Sequence, residues 1–354
     1  LLIGTQGGEF GLGPISSNVP LGPANVHIAK QSKMRSRAVR PEVIGTSVVY
    51  MQRAGRKLMA MDYNFYLDRY DSTNQNRLAY HITETGVIAI AYQAEPFQVV
   101  WCACVDGTLI GYTFDRQDNV TGWHRHSIGG GGAVESICVI PAPDGDRDEL
   151  WMTVRRVINN TTVRYVEYVA KHYEPNDAQR NCFYVDSGIS VTAEGGTVIS
   201  GLEHLNGETV SIFADGGVRA DAVVSAGQVN IGLPADFVTV GLPYVSTLTT
   251  ERIEAGADIG TSQGKTKRIN ICTLRVVDTL GGKAGLKGHE LEDIRLNDPA
   301  VNLDEPPPIY SGDTAQMTFP GDYDTDCQIT ITQSDPLPMT ICGIFPNLTG
   351  NEPT

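Results

Sequence analysis

Four strand–turn–strand segments recur through the first half of this chain at nearly even spacing. Aligned on Ile3, Tyr50, Trp101 and Trp151, they step by 47, 51 and 50 residues. A period near fifty residues, with a hairpin in every unit, is the pattern of β-propeller blades, because one such unit cannot bury its apolar face alone and must stack on its neighbours. The repeat predicts a mainly β fold. Partial propeller blades would occupy residues 1–175, and a β-barrel or sandwich, platform-like domain residues 176–354. A closed propeller needs blades this sequence does not supply, and the chain opens inside an apolar strand, so we expect a piece of something longer.

Local signals agree with strands. Asp106-Gly107 between two apolar runs is the strongest tight-turn signal, and Ala54-Gly55 and Asn159-Asn160 mark two further hairpins. Residues 63–70 read as a strand or one helical turn. Residues 77–90 read as a short helix with Leu78 and Ile82 on one face. Past a change of pattern at 171–186, short strands are expected at 197–200, 209–214, 218–224, 228–233 and 237–242, as a compact barrel or sandwich. Residues 265–278 are β-branched and favour a strand. Residues 281–308 are rich in Gly, Asp and Pro and read as a surface excursion. Strands at 317–319, 328–332 and 340–345 are expected to precede a disordered tail at 348–354.

Charge divides the chain unevenly. Residues 1–175 carry 17 basic and 17 acidic side chains, whereas 176–354 carry 10 and 24, which accounts for the whole net charge of −14. The second half therefore has no net attraction for a phosphate backbone. The basic run Lys30, Lys33, Arg35, Arg37 and Arg40 has no interleaved aromatics on which bases would stack, and reads as a solvated loop. No apolar run approaches the roughly 20 residues of a membrane helix, and no signal peptide is visible. The seven cysteines, at positions 102, 104, 138, 182, 272, 327 and 342, are odd in number and irregular in spacing, which favours thiols over a disulfide framework.

The residues of chemistry-bearing types fall short of complete motifs. Gly264-Lys265-Thr266 ends like a P-loop, but the required earlier glycine is Ile259. Asp144/Asp146/Asp148 and Asp322/Asp324/Asp326 begin like calcium loops. Positions six and twelve are then Glu149 and Arg155 in one, and Cys327 and Gln333 in the other, where Gly and Glu are needed. His124 and His126 share a strand face but have no third ligand nearby in sequence. Gly129–Gly132 has no following lysine and reads as a connection between blades. Trp101, Trp123 and Trp151 read as blade core rather than a sugar platform. We therefore expect no catalytic, cofactor-binding or metal site.

Several stretches resemble a known family. Val48-Val49-Tyr50-Met51-Gln52-Arg53-Ala54-Gly55-Arg56-Lys57-Leu58 is one, and Ala91-Tyr92-Gln93-Ala94-Glu95-Pro96 another. They are followed by Val100-Trp101, Asp106-Gly107, Tyr112 and Gly122-Trp123-His124. Glu149-Leu150-Trp151-Met152-Thr153-Val154-Arg155-Arg156 and Val163-Arg164-Tyr165-Val166-Glu167 continue the order. His204-Leu205-Asn206-Gly207-Glu208-Thr209-Val210, Ala214-Asp215-Gly216, Val240-Gly241-Leu242-Pro243-Tyr244 and Asp335-Pro336-Leu337-Pro338 extend it over roughly residues 40–345. In this order they resemble the short-tail nozzle proteins of tailed bacteriophages, also called tail tubular protein B or phage stabilisation protein.

That resemblance implies a non-enzymatic virion tail component, made in the bacterial host cytoplasm. It implies a homohexameric tube with a propeller and a β-rich platform in each subunit. The tube sits below a dodecameric adaptor, docks tail fibres or spikes, and passes DNA through its channel without specific binding. An acidic wall would repel phosphates and favour sliding, so the acidic second half is expected to supply lumen or ring-contact surface. Two other readings stand beside it. A propeller that binds or cleaves host-surface glycans would cluster aromatics and carboxylates in a blade-end funnel, and a cellular scaffold propeller would form no ring.

Overall fold

The computed structural model describes residues 1–350 apart from 17, 255, 258–259, 262 and 297–304. The protein is almost entirely β, built from small antiparallel sheets; the only helical turns among the described residues are four short 3-10 segments. It forms two compact units. One holds Leu1–Arg156 and Thr162–Val169, the other Val157–Thr161 and Ala170–Thr354.

Unit 1 contains four successive sheets, one for each repeat. The first is β1 (Leu2–Thr5), β2 (Gly8–Gly13) and β3 (His27–Ser32). The second is β4 (Glu42–Ile44), β5 (Ser47–Met51), β6 (Leu58–Asn64) and β7 (Arg69–Asn74). The third is β8 (Val87–Gln93), β9 (Val99–Cys104), β10 (Leu109–Asp115) and β11 (Val120–His126). The fourth is β12 (Ala133–Pro141), β13 (Asp148–Ile158) and β14 (Thr161–Tyr168). Within each sheet the strands pair in chain order. The repeat read from sequence is thus a repeat of antiparallel meanders.

Alternation explains how the sheets stack. Successive strand side chains point to opposite faces. In β5, Tyr50 joins Met59 and Met61 in a cluster that takes in Leu2 of the first sheet. Val49 and Met51 turn the other way and pack with Val87, Val100, Cys102 and Ile110 of the third sheet. β9 has no solvent face. Val100, Cys102 and Cys104 enter that same core, while Val99, Trp101 and Ala103 meet Val134, Leu150 and Val154 of the fourth sheet. This is why its sequence is a continuous apolar run rather than an alternating one.

The turns are set by backbone conformation. Gly107 (φ +87°) closes the β9–β10 hairpin, its N–H bonded to the Cys104 carbonyl at 3.0 Å. Asn159 and Asn160 both take positive φ, as a two-residue turn matching strand twist requires. Residues 63–70 are the end of β6, a turn and the start of β7. Residues 77–90 are not a helix. A single 3-10 turn (Tyr80–Thr83) leads into β8, and Leu78 is 96% exposed. One apolar residue per turn gives a helix too little face to bury.

Unit 2 begins with β15 (Asp186–Ser200), β16 (Thr209–Ala214), β17 (Gly217–Val223) and β18 (Gln228–Leu242). They form one four-stranded sheet in the order β15-β18-β16-β17, not a barrel; no sheet among the described residues closes on itself. The strands expected at 228–233 and 237–242 are the single strand β18, because the intervening Pro234 falls at register shifts opposite β15 and does not end it. Next come β19 (Ser246–Thr249), β20 (Gly256–Ala257), β21 (Gly260–Thr261), β22 (Lys267–Thr279), β23 (Lys283–Leu286) and β24 (Glu292–Asp293). Then follow β25 (Tyr310–Asp313), β26 (Met317–Thr318), β27 (Ile329–Gln333) and β28 (Thr340–Gly350).

The long excursion therefore contains two strands: β23 and β24 join the sheet β19-β27-β23-β24. Residues 297–304 of it lie outside the described residues. Leu348, Thr349 and Gly350 are not a loose tail, since they pair with Ile269, Arg268 and Lys267 of β22. Residues 351–354 lie outside the described residues. Ile269, Leu274, Phe319, Ile329 and Ile331 form the core of this part.

Candidate functional site

Most residues singled out in the sequence have structural partners. Trp101 is buried. Its indole N–H donates to Gln93 Oε1 at 2.8 Å, and its ring packs edge-on against His124 and His126. The two imidazoles lie with His124 Nδ1 and His126 Nε2 at 2.7 Å. Burial holds both rings below the ordinary histidine range, His126 down to about 4, and His124 adds its own charge to that effect. At neutral pH they are a neutral hydrogen-bonded pair. Among the described residues, no group of three or more His, Cys, Asp or Glu side chains is arranged to hold a metal ion.

Trp123 stacks on Tyr112 and Trp151 on Tyr168, so the three tryptophans serve separate contacts rather than one platform. Asp144 and Asp146 pair with Arg147, and Asp148 accepts the backbone N–H groups of Ala94 and Glu95. Asp326 pairs with Arg252. The Gly129 carbonyl accepts from the Arg156 guanidinium. Strand β22, not a helix, follows Gly264-Lys265-Thr266, so no helix N-terminus stands there to receive a phosphate.

In unit 2 a hollow of about 310 Å³ is lined by Tyr184, Tyr244, Leu248, Gln333, Asp335 and Met339, among others. Burial pushes both phenols up, Tyr244 to about 12, so they are neutral at physiological pH. The lining is mostly apolar, with Ser246, Thr247, Gln333 and Asp335 as its other polar members.

What the fold assembles, and the sequence conceals, is an end-to-end charge separation in unit 1. The turns at one end of the sheets are tied by backbone hydrogen bonds: Val87 to Gly55, Val105 to Gly86, and Val134 to Gly107. The basic residues converge here. Arg53 N–H bonds the Arg35 carbonyl, and the Arg37 guanidinium reaches the Ala54 carbonyl at 3.5 Å. The Arg56 carbonyl accepts from Asn76 and Thr83 beside Arg77, and Arg125 reaches the His81 carbonyl. Arg35, Arg53, Arg56, Lys57 and Arg77 are exposed, and none forms an ion pair among the described residues. Glu84 and Asp106 are the acids exposed in these same turns.

The opposite end carries Asp68, Glu95, Asp115, Asp118, Asp144 and Asp146, with the exposed tip Phe65-Tyr66, 82% and 96% accessible. Of its cations, Arg116 and Arg147 are held by Asp62 and by Asp144, Asp146 and Glu149, while Arg69 is exposed with no ion pair among the described residues. The basic loop read from sequence is therefore one part of a larger surface. The missed members, Arg53, Arg56 and Lys57 in one turn, Arg77 in another and Arg125 near the end of β11, come from separate stretches of sequence. The available signal was that each sits at or beside alternate turns of the repeat.

No family model matches this chain, and no curated protein matches it. Among the described residues, no helix is long and apolar enough to cross a membrane.

Proposed function

We propose that this protein is a structural subunit of a bacteriophage tail nozzle, acting through symmetric subunit contacts and docking to adaptor and fibre proteins. The observation that carries the reading is the order of parts. Four antiparallel meanders stack at the repeat spacing and precede a separate β-rich unit, as the resemblance requires. Sheets that share cores on both faces are suited to a rigid wall. The acidic second unit suits a conduit through which DNA slides, because a negative surface releases no counterions and does not grip a phosphate backbone.

The test is the native mass of the purified chain together with negative-stain images. Rings with a central channel are the expected result. A chain that stays monomeric even with its adaptor present would sink the reading. The same rings, once formed, allow a second check. Neutralising acids that face the channel should slow DNA ejection, and unchanged ejection would remove the sliding role.

A further inference from the structure

We infer that the basic turn end of unit 1 is one half of a head-to-tail contact whose other half is an acidic surface on unit 2 of a second copy. This deepens the nozzle reading by naming the faces that join subunits, but it stands on charge and exposure alone.

The basic half is defined above. Arg35, Arg53, Arg56, Lys57 and Arg77 are solvent-exposed and have no ion pair among the described residues. Their backbones are joined by turn hydrogen bonds, Arg53 N–H to the Arg35 carbonyl and Asn76 Nδ2 to the Arg56 carbonyl, which brings these cations onto one end of the unit. Cations crowded this way repel one another, and an anionic partner relieves that repulsion. Leu78 (96% exposed) and Tyr80 (43%) stand beside Arg77. Arginine with tyrosine and an apolar side chain is the mixture that anchors protein interfaces.

The acidic half lies in unit 2. Leu286 lies against Gly321, which brings the turn after β23 beside residues 321–326. Glu290, Glu292, Asp322 and Asp324 are exposed there, and none forms an ion pair among the described residues. Of the neighbouring cations, Lys283 is paired with Asp293 and Arg252 with Asp326, Lys287 donates to the neutral Gln328 amide, and Arg295 is exposed with no ion pair among the described residues; the carboxylates still outnumber them.

A second copy is favoured over nucleic acid on two counts. The chain as a whole carries −14, which opposes approach to a polyanion. The basic end also offers little aromatic surface between its arginines on which bases would stack. Two different faces on one chain make a heterologous contact, which closes into a ring when its rotation allows.

The test uses two charge-reversed forms of the 354-residue chain. One carries Arg53→Glu, Arg56→Glu and Arg77→Glu; the other carries Glu290→Arg, Glu292→Arg and Asp322→Arg. Sedimentation at about 50 mM and about 500 mM NaCl reads the association, since the higher salt shortens screening to a few ångströms. The wild-type chain should associate at low salt and dissociate at high salt. Each variant alone should associate at least about tenfold more weakly. An equal mixture should recover association, because each reversed face then meets its complement.

A wild-type chain monomeric at both salts, variants that associate like wild type, or a mixture that does not recover would overturn the contact. So would tight, salt-dependent binding of a duplex of about 20 base pairs, abolished by the arginine variant, without self-association. The nozzle reading is judged separately by imaging. Rings that survive both variants sink the contact and keep the nozzle. Salt-dependent assemblies that recover on mixing but never close keep the contact and sink the nozzle.

Discussion

Arg156 and Glu167 form a two-point ion pair between β13 and β14, with Nε donating to Oε1 at 2.9 Å and Nη2 to Oε2 at 2.7 Å. The arginine side chain is wholly buried, and its remaining nitrogen, Nη1, donates to the Gly129 carbonyl. The pair thereby fixes both the edge of the last sheet and the glycine-rich connection into it. Removing one partner strands a buried charge, which typically costs about 3–5 kcal/mol. Glu167→Ala should therefore lower stability by about that amount, read as a shift in urea midpoint. Arg156→Leu together with Glu167→Leu should cost distinctly less, because no charge is left unpaired.

The glycines at two hairpin turns should differ in tolerance. Gly45 (φ +57°) faces open space, so Gly45→Ala meets only the left-handed backbone penalty of about 1 kcal/mol. At Gly107 (φ +87°) a Cβ would lie 2.4 Å from the Ala133 Cβ and 2.9 Å from its Cα. The third and fourth sheets would have to part. Gly107→Ala should destabilise by more than Gly45→Ala, by about 2 kcal/mol or beyond, in thermal or urea unfolding.

The imidazole pair makes stability depend on pH. His126 titrates near 4 in the folded protein, against 6.5 as its ordinary value. Between those values the unfolded chain binds a proton that the folded one refuses. The contribution is thus complete above about pH 6.5 and is lost as the pH falls towards 4, with no further change from this group below that. The loss should be on the order of 2 kcal/mol, allowing for residual solvent contact. His126→Phe should flatten the slope in that window when urea midpoints are compared across pH. An unchanged slope would assign it to other groups.

Thiol reactivity should divide by burial. Cys138 and Cys342 are exposed, whereas Cys102, Cys104, Cys182, Cys272 and Cys327 are buried. Burial also raises the Cys102, Cys104 and Cys182 thiols, Cys104 to about 11, which suppresses the reactive thiolate. Brief alkylation of the native chain should modify Cys138 and Cys342 by intact mass, with the other five reacting only after unfolding.

The sequence by itself determined the elements that rest on local chemistry. The apolar run 99–104 with Asp106-Gly107 specified β9, its turn and β10, because a tight turn closed by a glycine at positive φ needs no distant partner. The near-fifty spacing specified one meander per repeat. Where a segment's state depended on distant partners, the reading failed. Residues 283–286 and 292–293 look like loop until β27 supplies a ladder, and residues 348–350 look like tail until β22 does. Residues 77–90 offer a helix little apolar face and contain Gly86 at positive φ, and the third sheet took them from Val87 onward.

The charged ends were decided only by tertiary structure. A balance of 17 basic and 17 acidic side chains says nothing about place. Arg35 and Arg53 became neighbours because one backbone hydrogen bond joins their turns, and Arg56 and Arg77 because Asn76 reaches back to the Arg56 carbonyl. Charge acts over distance in space, and in a meander each strand carries the chain to the opposite end. Residues some twenty or forty positions apart can then share a surface that near neighbours in sequence do not.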